Sequence, residues 1–347
     1  MKKMVLKFIG TFLLGMIYVL TFLRAQTANA SMIELRYANF PAPTTFPCVQ
    51  MERWAKEVEK RTGGKVKVKT FPGGTLLDAK GMFDGVVAGL ADIGCFCPSY
   101  HPGMFPLLEA MDLPIGWPNT KVASLTLLKL YQKWQPKELE KVKVLTMFTC
   151  APMHIASKIP IKNLADLKGV ELRAAGASVP YLKALGATPV GMPMSDVPEA
   201  LQKGLIKGYL SSIEVLKDYK FAEYCRHVTY LGDSIVTFAV IMNKKSWESL
   251  PKDVQKLFDN MAEEQSLWTG TYMDDYIKEV IDWTINTYKV QYYSLPESDI
   301  AKKKELIKPL FDDYLARAKA KGIPADEVLK DIFALRDEMS KKYPETR

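Results

Sequence analysis

The stretch KVKVKTFPGGTLLDAKGMFDGVVAGLADIGCFC, residues 65–97, decides the fold. Residues 65–69 alternate strictly between lysine and valine, which predicts a strand with one buried face. The turn residues at 71–74 follow, and then a pattern that predicts a helix over about 78–88. Residues 91–97 are mostly apolar and favour a short buried strand. This alternation of strands and helices predicts an α/β protein with a parallel or mixed sheet covered by helices.

The same alternation continues on both sides of this stretch. A strand is predicted over 33–40, and an amphipathic helix over 49–62 follows it. A second α/β half lies farther along the chain, and its predicted strands are 142–149, 170–173, 188–190, 205–210 and a return strand at about 235–242. The last third is helical, with one long amphipathic pattern from Ser246 to about Val290 and two further helices.

The first 30 residues have the pattern of a secretory signal. Lys2, Lys3 and Lys7 precede an apolar run over 8–23, and Ala28-Asn29-Ala30 is a small-x-small cleavage site. Cleavage is therefore predicted after Ala30, and the protein is expected in the periplasm. The alternative is an uncleaved anchor, for which an apolar run of about 16 residues is short, since a membrane span needs about 20.

Charge and composition exclude several classes of protein. The chain has 347 residues and a formal net charge of +8, of which residues 1–30 contribute four positive charges. The remaining excess is scattered, and no basic run is interleaved with aromatic residues, so no nucleic-acid partner is expected. Motifs of nucleophilic hydrolases, phosphate loops and dinucleotide sites are absent, which makes a secreted enzyme the weaker alternative.

The cysteines and histidines predict neither a disulfide framework nor a metal site. The five cysteines (Cys48, Cys95, Cys97, Cys150 and Cys225) have no framework spacing, so buried free thiols are favoured over disulfides. The three histidines are isolated, and no Cys-x2-Cys pair exists. No metal and no cofactor are therefore expected.

Eight short blocks of the chain carry a resemblance to a known family. They are TGGKV (62–66), FPGGTL (71–76), GLADIG (89–94), DLP (112–114), DLKGVELR (166–173), LGATPV (185–190), EALQKG (199–204) and NKKSWESLP (243–251). In this order and spacing the chain resembles the DctP-type substrate-binding proteins of tripartite ATP-independent periplasmic (TRAP) transporters. Binding proteins of ATP-driven (ABC) importers and sensory ligand-binding proteins are the alternatives.

This resemblance implies a two-lobed periplasmic-binding-protein-like fold with mixed sheets and a long C-terminal spine helix. Lobe I is expected to contain residues 31–150 plus about 240–280, and lobe II residues 151–239 plus about 281–347. The spine helix, about 247–290, is expected to span both lobes. The resemblance also implies a ligand in the cleft, lobes that close over it, and docking on small and large integral membrane subunits.

Arg173 is the first candidate for the ligand site. It ends a predicted strand and precedes the small residues Ala174, Ala175 and Gly176. A guanidinium group grips a carboxylate through two parallel hydrogen bonds, and the resemblance implies that role at this position. A solvated arginine or an interlobe salt bridge is the alternative.

The remaining candidates lie near predicted strand ends, where ligands meet open α/β sheets. The candidates are Phe40, Thr44, Phe46, Phe96, Cys97, Tyr100, Phe148, Ser211, Ser212, Glu214 and Phe238. The serines replace an asparagine common in the family. Glu214 is a candidate for binding an amine or hydroxyl of the ligand, or for an interlobe salt bridge. For each aromatic residue, ordinary core packing is the alternative.

The segment 150–154 lacks the second arginine that some family members carry. A dicarboxylate would need more positive charge than Arg173 supplies, because an unpaired buried carboxylate is costly. The predicted ligand is therefore a small monocarboxylate with an apolar or aromatic tail.

Overall fold

The first of two sheets combines four strands from the first half of the chain with the return strand predicted at about 235–242. In this computed structural model, which describes residues 32–344, its order is β2-β1-β3-β10-β4. The strands are β1 (Ile33–Asn39), β2 (Val66–Phe71), β3 (Ile93–Phe96), β4 (Val142–Thr149) and β10 (Thr237–Asn243). β1 runs parallel to β2 and β3, whereas β10 is antiparallel to β3 and β4. The lysine–valine alternation in β2 buries Val66 and exposes Lys67.

Four helices accompany this sheet: α1 (Phe46–Arg61), α2 (Met82–Val87), α3 (Pro106–Glu109) and α4 (Thr120–Trp134). α1 buries Trp54, whose ring meets Tyr37 of β1 edge-on at 5.9 Å. Helix α4 was not predicted from the sequence. Asn119 caps it by accepting a hydrogen bond from the Val122 N–H at 2.8 Å. Val122 through Leu128 are all buried, so the helix has no polar stripe that would reveal its period.

The second sheet has the order β11-β9-β5-β8-β6-β7. Its strands are β5 (His154–Ser157), β6 (Glu171–Ala174), β7 (Thr188–Gly191), β8 (Gly208–Ser211), β9 (His227–Tyr230) and β11 (Gln291–Ser294). The short helices α5 (Ser178–Ala184), α6 (Val197–Gln202) and α7 (Val215–Asp218) alternate with them. Strands β9 and β11 were not predicted, because four-residue strands with polar positions give little periodic signal.

Two chain segments cross between the sheets side by side. Cys150 donates its N–H to the Val236 carbonyl at 3.0 Å, and Met153 donates to Ser234 at 2.9 Å. In the reverse direction, Gly232 donates to the Met153 carbonyl at 3.0 Å. The two crossing segments are therefore joined to each other by hydrogen bonds and form a narrow ribbon between the sheets.

The predicted helix over 247–290 is two helices. α8 (Lys244–Ser249) ends before Pro251, and α9 (Lys252–Tyr288) begins after it. Leu250 is extended (φ −72°, ψ 142°), as the residue before a proline prefers, so the start of the predicted helix was wrong. The 37 residues of α9 give a helix of roughly 55 Å.

Helix α9 contributes to the cores of both halves. Phe258 packs at 4.9 Å from Trp54 in the core under the first sheet. Val280 belongs to a second cluster that contains Tyr209 of the second sheet. The chain ends with α10 (Glu297–Ala320) and α11 (Ala325–Lys342). The two-lobed α/β fold is confirmed, with lobe I built on the first sheet and lobe II on the second; the predicted residue bounds of the lobes stay a prediction.

The predicted signal segment, residues 1–30, lies outside the described residues. Among residues 32–344, no helix is both long enough and apolar enough to cross a bilayer.

Candidate ligand-binding cleft

A cavity of about 520 Å³ lies where lobe I, lobe II and the crossing ribbon meet. This volume includes space that opens to solvent. One wall is aromatic: Phe46 meets Phe238 edge-on at 5.5 Å, and Phe40 stacks parallel to Phe238 at 6.5 Å. These rings belong to lobe I and to β10, which leads out of the ribbon. The cavity therefore offers apolar aromatic surface on this side.

Arg173 forms the opposite, charged part of the lining. It lies in β6 between β7 and β8, and only 3% of the residue is exposed. Its Nε donates to the Met192 carbonyl at 2.9 Å, which fixes the direction of the guanidinium group. Among residues 32–344, no carboxylate oxygen lies within 4.0 Å of it. The structure thus holds a buried positive charge that the described protein does not neutralise.

Tyr100 lies close enough to Arg173 to interact with its charge. Burial raises the pKa of Tyr100 to about 12, and the charge of Arg173 acts in the opposite direction. The phenol is therefore neutral at physiological pH. Its oxygen accepts a hydrogen bond from the Met194 N–H at 3.1 Å, so its own proton remains available to another acceptor.

Two carboxyl groups on or beside α7 complete the polar lining. Glu214 is 1% exposed, and its Oε1 accepts a hydrogen bond from the Ser212 hydroxyl at 2.5 Å. Asp218 accepts from the Tyr276 hydroxyl at 2.7 Å. Burial raises the pKa of Glu214 to about 8 and that of Asp218 to about 7. Both groups therefore keep a proton in a large fraction of molecules at neutral pH.

The crossing ribbon supplies Cys150 and Val236 to the lining. The Cys150 sulfur accepts a hydrogen bond from the Val236 N–H at 3.1 Å, and burial raises the pKa of the thiol well above its usual value. Cys150 is thus a neutral, inert thiol. All five cysteines are buried and unpaired, which confirms the prediction of free thiols. Within residues 32–344, no group of three or more His, Cys, Asp or Glu side chains is arranged to hold a metal ion.

Eight of the twelve predicted site residues line the cavity. They are Phe40, Phe46, Tyr100, Arg173, Ser211, Ser212, Glu214 and Phe238. The Ser212 hydroxyl donates a hydrogen bond to Glu214, whereas Ser211, the last residue of β8, is also among the lining residues.

The structure places the other four elsewhere. The ring of Phe96 points into the core of lobe I, between Phe83 and Phe105 at 5.2 and 5.1 Å. Cys97 is also buried outside the lining. Strand β3 has buried residues on both faces, so its apolar pattern does not show which side chains reach the cleft.

Phe148 and Thr44 are also displaced from the lining. Phe148 is paired with Phe238 across β4 and β10, but Phe46 and Phe238, at 5.9 and 5.6 Å, separate it from the cavity. Thr44 is exposed, and its hydroxyl contacts the Asp218 carbonyl at 3.4 Å. The neighbouring residue Thr45 takes its place in the lining.

Further lining residues were not predicted from the sequence: Pro41, Thr45, Pro47, Cys150, Met194, Val215, Asp218, Tyr219 and Val236. Asp218 follows Glu214 by four residues, and such a pair shares one face of a helix. That spacing was the available signal. Met194 and Val236 depend on how the lobes meet, which no local pattern records.

Comparison with known proteins places this geometry in a family. The profile of the DctP family, the bacterial extracellular solute-binding proteins of family 7, matches residues 38–318. A TRAP periplasmic solute-binding protein from Desulfovibrio salexigens, whose crystal structure is an open complex, is 50% identical. The match covers 91% of this chain and 98% of that chain with a TM-score of 0.81.

Two further crystal structures hold ligands. A TRAP solute-binding protein from Rhodoferax ferrireducens with copurified benzoate is 27% identical and has a TM-score of 0.85, covering 90% of this chain and 99% of that one. A marine metagenome TRAP solute-binding protein specific for aromatic acid ligands, from an unidentified microbe, contains 3-hydroxybenzoate. It is 28% identical with a TM-score of 0.83 and the same two coverages.

Proposed function

Because the chain belongs to the bacterial extracellular solute-binding proteins of family 7, we propose that it captures a small monocarboxylate with an apolar or aromatic tail for a TRAP-type transporter. The matched proteins are binding proteins that handle small organic acids and work with membrane transporter subunits, and this chain is a receptor rather than an enzyme. The proposed location is the periplasm, after cleavage of the signal segment. The proposed partners are the small and large integral membrane subunits of such a transporter.

The buried guanidinium of Arg173 is the observation that carries this proposal. A buried charge without a counter-charge is costly, and a ligand carboxylate would remove that cost by pairing with it. The Tyr100 hydroxyl proton and Ser211 are proposed as further donors to the same carboxylate. One positive charge favours one carboxylate over two.

The aromatic wall sets the proposed shape of the rest of the ligand. Phe40, Phe46 and Phe238 present an apolar aromatic surface, against which an aromatic or branched tail of the ligand would bury area. Relatives that hold benzoate and 3-hydroxybenzoate support this class of ligand.

Titration calorimetry with benzoate and succinate tests the proposal. We expect the wild-type protein to bind benzoate and not succinate. Arg173→Ala should lose about 2–5 kcal/mol of binding free energy, since part of the loss is a charge left unpaired. Arg173→Lys keeps the charge but loses the planar fork, so it should recover only part of the affinity. Stronger binding of succinate than of benzoate would refute the proposed ligand class, and unchanged binding by Arg173→Ala would refute the proposed site.

A further inference from the structure

Tyr219 lines the cavity from lobe II and is held there by the core of that lobe. It follows directly after α7. Its ring stacks on Phe221 with the ring centres 5.2 Å apart and the planes only 20° apart. Phe221 is itself buried against Tyr209, at 5.2 Å, in the core under the second sheet. The position of the Tyr219 phenol is therefore set by core packing before any ligand arrives.

The Tyr219 hydroxyl is available to a ligand. The hydroxyls of Tyr100, Tyr181 and Tyr276 form hydrogen bonds with other residues, whereas within residues 32–344 that of Tyr219 forms none. Its oxygen keeps accessible surface, unlike the Tyr209 hydroxyl, which is also unpartnered but completely enclosed. Because the side chain lines the cavity, a group in the cavity can reach this hydroxyl.

The phenol of Tyr219 lies in the charged part of the cleft. Burial raises its pKa well above the usual value, and the neighbouring Tyr100, Cys48 and Asp218 raise it further. The charge of Arg173 acts in the opposite direction, so the phenol is near enough to the guanidinium group to feel its field. At physiological pH the phenol keeps its proton and is a neutral hydrogen-bond donor.

We propose that Tyr219 is a ligand-binding residue that donates its hydroxyl proton to the carboxylate held by Arg173. This inference rests on the proposed function, because it requires a carboxylate on Arg173. An ionised carboxylate has about four lone-pair sites, and the fork of the guanidinium group fills two of them. In the closed cleft, Tyr100 of lobe I and Tyr219 of lobe II donate to the same anion from opposite sides.

A neutral donor suits a site that takes one negative charge. A hydrogen bond to an ionised acceptor is stronger than one between neutral groups, so a phenol adds affinity for the carboxylate. It adds no positive charge, and therefore does not favour a second carboxylate on the ligand. Tyr219 thus increases affinity while Arg173 alone sets the charge that the cleft accepts.

The test removes only the hydroxyl. Tyr219→Phe keeps the ring and its stacking on Phe221. Calorimetric dissociation constants are measured for benzoate and cyclohexanecarboxylate, which share the carboxylate and differ in the tail. We expect the variant to bind both acids more weakly by the same factor, roughly ten- to a hundredfold, as for the loss of a hydrogen bond to a charged group. Tyr224→Phe, the same change at an exposed position of lobe II outside the lining, is the control and should bind as the wild type does.

The outcomes separate this inference from the proposed function. Unchanged affinity of Tyr219→Phe for both acids, with binding still lost in Arg173→Ala, would overturn the inference and leave the proposed function standing. A loss for benzoate alone would overturn it too, because Tyr219 would then contact the tail. If the wild-type protein binds neither acid, both fall.

A crystal structure of the wild-type protein with benzoate tests the contact without any variant. The Tyr219 hydroxyl should lie within about 3.0 Å of a carboxylate oxygen of benzoate. A carboxylate seated on Arg173 but out of reach of Tyr219 would refute the inference, even if Tyr219→Phe fails to fold.

Discussion

The Tyr100 hydroxyl accepts a hydrogen bond from the Met194 N–H at 3.1 Å, and this contact joins the two lobes across the cleft. Tyr100 follows β3 of the first sheet, and Met194 follows β7 of the second. The same tyrosine lines the cavity beside Arg173. Tyr100 therefore takes part both in the contact between the lobes and in the electrostatic environment of Arg173. A ligand that contacts Tyr100 in the closed cleft therefore also favours the closed form.

Tyr100→Phe should weaken ligand binding without unfolding the protein. The substitution keeps the ring but removes the interlobe hydrogen bond, which is worth about 0.5–1.5 kcal/mol, or roughly a two- to twelvefold loss of affinity. Calorimetry with benzoate measures the effect. Tyr131→Phe, in α4, is the control and should bind as the wild type does. An unchanged affinity for Tyr100→Phe would show that the contact does not contribute to the bound state.

Gly176→Ala should block closure sterically. The residue has φ +54°, and a Cβ built there would lie 2.8 Å from the Ser99 Cβ on the opposite lobe. The lobes would have to separate, so we expect an affinity loss of at least about tenfold, since the closed form becomes costly by more than about 1.4 kcal/mol. Small-angle scattering should show that the ligand no longer compacts the protein.

Gly169→Ala is the matched control for backbone strain. Gly169 also has a positive φ of +74°, but a Cβ there meets no atom within 4 Å. Both variants suffer the same kind of strain, and only Gly176→Ala adds the interlobe clash. Equal loss of ligand affinity in the two variants would contradict the steric argument.

Asp112 should make the stability of the protein fall as the pH rises from about 4 to 7. Burial raises its pKa to about 7, although hydrogen bonds from Ser99 and Thr237 act in the opposite direction. In this window the folded protein keeps a proton that the unfolded chain has released, so alkalinisation favours unfolding, by up to about 4 kcal/mol.

Asp112→Asn removes this titration and measures it. In urea titrations, we expect the free energy of unfolding of the variant minus that of the wild type to be larger at pH 8 than at pH 5, because only the wild type loses stability as the pH rises. Asn286→Ala, at an exposed position of α9, changes no titratable group, so it is the control and should differ from the wild type by the same amount at both pH values. A pH-independent difference for Asp112→Asn would mean that the carboxyl group titrates normally in the folded protein.

The fold was predictable where one face of an element meets water. Val66 and its neighbouring lysines give a clear two-residue period because β2 is an edge strand. Helix α4 has no such period, since it is covered by β4, α9 and α11. Pro251 is a residue that can end a helix, but the amphipathic pattern on both sides of it favours one continuous helix in a prediction from sequence.

The site was predictable at strand ends and not beyond them. Arg173 and Phe238 follow from the strand pattern together with the family resemblance. Phe148 and Phe96 have the same local sequence pattern but do not line the cavity. Phe148 is covered by Phe46, and Phe96 packs against Phe105 in the core of lobe I. Met194 reaches the cleft because the two lobes meet there, and that relation is set by contacts between residues far apart in the chain.

Gly270→Ala should destabilise the protein even though alanine is the better helix former. In an exposed helix this substitution stabilises by about 1 kcal/mol. Here a Cβ would lie 2.5 Å from the Lys121 Cα, because α9 and α4 approach each other closely at this point. The helices must shift apart, and overpacking of this kind costs roughly 1–3 kcal/mol.

Urea titration should therefore give a lower free energy of unfolding for Gly270→Ala, while Asn286→Ala, at an exposed position of the same helix, should be neutral or slightly stabilising. Because α9 contributes to the cores of both lobes, the transition should remain a single one, and a gain in stability would mean that the close approach of the two helices does not exist in solution.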